Sequence, residues 1–120
     1  MRVIVDGANV VGARPDGWWR DRAGAARRLH DRLMALQEAD GTGREIVLVL
    51  EGAARGGVPE GDPAHGAARI RVVHAPGEGD DEIVRQSVGA DLVVTADREL
   101  RRRVAPVATV GPSWVWDAAG

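Results

Sequence analysis

Four runs of apolar, largely β-branched residues each end abruptly in a polar or glycine-containing turn, and that recurrence limits the chain to one class of architecture. Val3-Ile4-Val5 stops at Asp6-Gly7-Ala8-Asn9, and Glu45 to Leu50 (EIVLVL) stops at Glu51-Gly52. Arg69 to His74 (RIRVVH) turns at Ala75-Pro76-Gly77, and Asp91 to Thr95 (DLVVT) gives way to Ala96-Asp97. Short runs with so little polar interruption describe strands covered on both faces, the condition of a parallel sheet. A last run, Val107 to Val110, precedes Gly111-Pro112 and supplies a further strand.

Helical patterns fill the intervals. Trp19, Ala23, Ala26, Leu29, Leu33 and Leu36 recur at steps of four and three, which predicts one helix from about Gly17 to Ala39, stopped by Asp40-Gly41-Thr42-Gly43. The arginines between Arg20 and Arg32 fall mostly off this stripe and read as a solvated face. Val10 to Asp16 reads as a loop closed by Pro15-Asp16-Gly17, and Gly52 to Ala68 as a long Gly/Pro/Ala-rich connection. Gly79-Asp80-Asp81-Glu82 opens a short helix reaching about Val88, with Ile83, Val84 and Ser87 or Val88 inward, and Asp97 caps a helix from Arg98 to Val104. Strands alternating with helices predict an α/β fold with three layers, α/β/α, around a mostly parallel sheet. The 120 residues suit a single domain spanning 1–120.

Composition removes several functional classes. The chain has no cysteine, so disulfides, thiolate metal sites and cysteine nucleophiles are excluded. Asp6 interrupts the only apolar stretch near the amino terminus, and no apolar run approaches the ~18 residues of a membrane span. A cytoplasmic protein with no membrane partner is expected. Every basic residue is arginine, concentrated at Arg20 to Arg32 and Arg98 to Arg103, a residue suited to bidentate phosphate contacts.

The turns carry the chemistry. In open parallel sheets ligands bind beyond the carboxyl ends of the strands. Three separate segments deliver acids there: Asp6 after the first strand, Asp80 and Asp81 at a helix start, and Asp97 after the fourth, with Glu51 as a fourth source. Each has a structural role available, since Asp97 caps a helix and acids in a first turn suit the helix dipole. Jointly they repel one another, and a cation resolves that repulsion. Oxygen-only ligands suit Mg²⁺ or Mn²⁺, hard cations that bind phosphate oxygens and clamp the attacking and leaving oxygens of a phosphodiester. Asp91 begins its strand at the opposite end of the sheet and is set aside.

The order VIVDGANVV, GEGDDEIV, DLVVTADRELR resembles the PIN-like nucleases, and most closely their NYN-domain branch, in which an Asp-Gly-x-Asn turn follows the first strand. The similarity runs over nearly the whole chain. It implies a PIN-like parallel sheet of order 3-2-1-4-5 and a ribonuclease, or a nuclease of structured nucleic acid, with an acidic cluster holding one or two divalent ions. Carried over position by position, Asp6, Asp81 and Asp97 look like the metal-binding catalytic acids, Asp80 like a partner of Asp81, and Asn9 like the residue that orients the first turn or a water. Relatives often have Asp-Gly after the second strand where this chain has Glu51-Gly52, a longer arm that reaches a metal directly or through water. Members that bind without cutting also belong to this group.

Arg14, Arg55 and Arg98 are candidates to contact substrate phosphates, while His74, ending the third strand, is more simply a satisfied structural residue than a proton shuttle. Trp18, Trp19, Trp114 and Trp116 suit base stacking, the core or a homodimer contact. The rivals are a non-catalytic RNA- or protein-binding module of the same fold and a small-molecule phosphatase. A haloacid-dehalogenase type of phosphatase needs a second Asp where this chain has Ala8. A dinucleotide-binding fold needs a glycine-rich turn with a helix directly after the first strand, which DGANVVGARPDG does not present.

Overall fold

The structure is a computed structural model that describes residues 1–40, 44–61 and 69–117. Five strands, β1 (Arg2–Asp6), β2 (Glu45–Leu50), β3 (Ile70–His74), β4 (Leu92–Val94) and β5 (Ala108–Val110), form one sheet of order β3-β2-β1-β4-β5. Every neighbouring pair is parallel. The helices are α1 (Gly7–Gly12), α2 (Arg22–Asp40), α3 (Gly79–Gln86), α4 (Arg98–Val104) and α5 (Ser113–Trp116). Both the three-layer class and the strand order agree with the sequence. No helix among the described residues is long and apolar enough to cross a membrane.

Alternation along the strands divides the core in two. Val3, Val5, Ile46, Leu48 and Val94 face the side covered by α1, α2 and α5, where they pack with Val10, Ala26, Leu29, Leu33 and Val115. Ile4, Val47, Val49 and Val93 face the other side, under Ile83 of α3 and Leu100 and Val104 of α4. Leu29 and Leu33 are fully enclosed, and each such side chain contributes about 1.5–3 kcal/mol by leaving water. The long helix therefore fixes one layer of the sandwich largely through its apolar stripe.

Several boundaries differ from the sequence reading for local reasons. Asp6 accepts a hydrogen bond from the Asn9 backbone N–H and so starts α1 at once, where a loop was expected. The six-residue α1 buries Val10 and Val11. A helix thus does follow the first strand directly, and the argument against a dinucleotide-binding fold rests only on the missing glycine-rich turn. The long helix begins later than expected: Gly17 takes a positive φ of 76°, Trp18–Arg20 form a 3-10 turn, and Asp21 accepts from the Gly24 N–H inside the first turn of α2. Trp19, placed on the apolar stripe by periodicity, is therefore 55% exposed.

The connection after β2 opens with a 3-10 turn, Gly52–Gly57, lying against α2 so closely that a Cβ at Gly57 would meet the Ala23 carbonyl oxygen at 2.0 Å. Its later part, and the stop of α2 at residues 41–43, lie outside the described residues. The helix α3 ends at Gln86, with Ser87 buried and Val88 exposed beyond it.

Candidate functional site

The order β3-β2-β1-β4-β5 reverses direction between β1 and β4, and the carboxyl ends of those two strands flank the crevice that such a switch point creates. Asp6, the last residue of β1, is only 5% exposed. One oxygen, Oδ1, accepts from the Asn9 N–H at 3.3 Å, and the other, Oδ2, accepts from the Thr95 hydroxyl at 2.9 Å. Thr95 is fully buried, and its Oγ1 also accepts from the Asp97 N–H at 3.2 Å. Asn9 completes the junction by accepting the Ala96 N–H on Oδ1 at 2.8 Å. The turns after β1 and β4 are thus joined by three side chains, Asp6, Asn9 and Thr95. Thr95 was missed in the sequence because a threonine closing a strand reads as an ordinary β-former.

Three further acids reach the same edge. Glu51, just after β2, accepts the Gly79 N–H on Oε2 at 2.8 Å and so ties the end of β2 to the start of α3. A Cβ on residue 79 would lie 3.2 Å from the Glu51 carboxyl carbon, so glycine gives this arm its room. Asp80 follows on the first turn of α3, and Asp97 caps α4 by accepting the Leu100 N–H at 3.0 Å.

Electrostatics links these groups. Burial pushes the Asp6 carboxyl up to about 6; the bonds from Thr95 and Asn9 oppose the shift, and the charges of Asp80 and Glu51 add to it. Asp80 is also raised, first by burial and then by the charges of Asp97 and Glu51, with Arg103 acting the other way. Asp6 therefore feels the charges of Asp80 and Glu51, and Asp80 those of Glu51 and Asp97; none of the four is salt-bridged among the described residues.

Asp81 sits differently. Its side chain is exposed, and its Oδ1 pairs with Arg103 Nη2 at 2.9 Å. Asp81, expected beside Asp6 and Asp97, is thus engaged by Arg103, and it is Asp80, its neighbour on the helix, that is raised by the charge of Asp97. Adjacent helical residues project about 100° apart, so the entry angle of α3 selects one of the two. Among the described residues no three acids or histidines are placed to grip a metal ion as they stand.

The other candidates have contacts of their own. Arg14 stacks over the Trp116 ring at 4.6 Å, and Arg55 turns back on its own loop, donating to the Gly52 carbonyl at 3.1 Å. Arg98 is exposed on the first turn of α4. His74 bonds the Val58 carbonyl through Nε2 at 2.8 Å, a structural link on the edge strand β3. Trp18, Trp114 and Trp116 pack against the larger core cluster.

No family model matches the chain, and no curated protein matches it. Among solved structures it is similar to Rae1 (YacP) from Bacillus subtilis, with a TM-score of 0.68 and 16% identity, over 97% of this chain and 72% of that one. An identity that low speaks to fold alone, and together with the strand order it shows that this chain shares the parallel-sheet α/β fold of that protein.

Proposed function

We propose that the protein is a divalent-metal-dependent nuclease of the NYN type, cleaving phosphodiester bonds of RNA in the cytoplasm. One observation carries this reading: Asp6 is buried at the switch point, raised to about 6, and faced by Glu51 and Asp80 with no salt bridge of its own among the described residues. Burying a carboxylate among carboxylates is costly, and fold stability alone gives no reason to keep it. The donor set fits a hard cation, being all oxygen, although among the described residues the side chains as they stand do not form a finished cage.

Asp6, Asp80 and Asp97 would hold Mg²⁺ or Mn²⁺, with Glu51 as a further oxygen ligand. When bound, such an ion neutralises charge developing on the phosphate and activates the attacking water. The chain's own part is positional: Thr95 and Asn9 hold Asp6 and join its turn to that of Asp97. Asp80 replaces Asp81 in this assignment because Arg103 engages Asp81. Arg98, exposed on the first turn of α4, would meet the phosphate backbone.

The test is incubation of a mixed single-stranded RNA pool with wild type and Asp6→Asn, in Mn²⁺ and in EDTA. Cleavage that requires both Asp6 and the metal is expected. A wild type that binds RNA and never cuts it would favour a binding module of the same fold.

A further inference from the structure

Beside the acidic edge lies a cavity of about 460 Å³ that the acids themselves do not account for. Its lining includes Gly7, which follows Asp6 in the chain, and Glu51, together with Trp18 and Arg22. Its volume lies within the range of small-ligand sites, about 300–1,000 Å³. Gly52 and Gly77, also in the wall, have nothing within 4 Å of where a Cβ would stand, so this side is open.

The polar groups choose the occupant. Glu51 and Glu78 outnumber Arg22 in the lining, so a phosphate would meet net negative charge there. Carboxylates do accept hydrogen bonds from the ring N–H and exocyclic amines of nucleobases. The aromatic wall points the same way. Arg22 stands over the Trp18 ring at 5.1 Å, so that face carries an exchangeable cation–π partner whose place a base entering the cavity would take. Trp18 is fixed for this purpose: one edge of its ring packs near Gly12, and it rests against the larger core cluster.

We infer that this cavity is a nucleobase subsite, in which Trp18 stacks a base of single-stranded nucleic acid adjoining the phosphate held at the acidic edge. The inference rests on the nucleic-acid reading above and names its substrate: an unpaired strand, because a base held in a helical stack cannot enter. Trp18 is a binding residue, and the base takes the place that Arg22 holds on its ring.

Adenosine, which carries no phosphate, tests the subsite apart from metal and cleavage. The chain has four tryptophans, so the indole N–H resonances of the ¹⁵N-labelled protein are few, and Trp18→Phe assigns the one of interest. In EDTA, adenosine is expected to shift the Trp18 indole resonance saturably while those of Trp114 and Trp116 stay in place. In the cleavage assay Trp18→Leu is expected to raise KM by about tenfold with kcat nearly unchanged, and Trp18→Phe to restore most of it. An unmoved Trp18 resonance, or saturable shifts at Trp114 or Trp116 instead, overturns the subsite. A saturable Trp18 shift in a protein that never cleaves RNA sustains the subsite and refutes the nuclease reading; cleavage with a silent Trp18 does the reverse.

Discussion

Replacing Asp6 by asparagine should make the protein more stable at neutral and alkaline pH, although it removes the residue that the proposed activity needs. An unperturbed aspartate titrates at 3.8, and Asp6 is raised to about 6 in the fold, chiefly by burial. Below the lower value both folded and unfolded chains hold the proton, and the group has no effect on stability. Between the two values the native state keeps a proton that the unfolded chain has released, so stability falls as pH rises; above the upper value the loss is complete. A gap of about two pH units at ~1.36 kcal/mol each makes that loss about 3 kcal/mol. Asparagine keeps the shape and removes the charge. It offers Thr95 and the Asn9 N–H a weaker set of bonds, at a cost of about 1 kcal/mol. The net expectation at about pH 8 is a gain of about 1–2 kcal/mol, or about 4 °C in Tm for each kcal/mol in a chain of this size. At about pH 4 the gain should vanish and a small loss remain. Urea unfolding of both proteins in EDTA across this range measures it. An Asp6→Asn variant less stable than wild type at the alkaline end, or a difference that ignores pH, would refute the reasoning.

Thr95→Val removes the hydroxyl bonded to the buried carboxylate, so it should cost about 1.5–3 kcal/mol at neutral pH in chemical denaturation. It should also move the Asp6 carboxyl further up from about 6 in a ¹³C NMR titration, since the Thr95 bond is the largest influence holding it down. Gly7→Ala would set a Cβ 2.5 Å from the Val49 carbonyl oxygen and 2.9 Å from a Leu50 methyl; the backbone of β2 has to yield, and a loss of about 1–3 kcal/mol should appear in the same assay. Leu33→Ala, in the fully enclosed stripe of α2, should cost about 2–5 kcal/mol.

The strands were legible because burial on both faces leaves a mark that needs no context: Val3 to Val5, Ile46 to Leu50 and Leu92 to Val94 are all buried. Their ends gave the sheet's carboxyl edge and with it the place of Asp6, Asp97 and Glu51. What escaped was set by short-range bonding and by rotation. The helix α1 is too short to show a period, and its signal was a cap, the Asp6 side chain meeting the Asn9 N–H three residues on. Trp19 fits the stripe of α2 by spacing, but Gly17 and Asp21 start that helix after it.

The choice between Asp80 and Asp81 depends on where α4 places Arg103, a contact across 22 positions that no local pattern carries. The tie from Thr95 to Asp6, spanning 89 positions, is of the same kind. Glu82 offers a further case: it reads as a third acid of a first turn, yet it is buried and bonded to Arg85 and Gln86, away from the others.

The most direct test of the central claim is calorimetric titration of Mn²⁺ into EDTA-stripped wild type, Asp80→Asn and Asp81→Asn, with cleavage of single-stranded RNA followed in the same buffers. The arrangement of the acids predicts that wild type binds and cuts, that Asp80→Asn weakens binding by about tenfold or more and loses cleavage, and that Asp81→Asn keeps both within about threefold. A wild type that neither binds millimolar Mn²⁺ nor cuts RNA, or a site that survives Asp80→Asn and fails with Asp81→Asn, would contradict it.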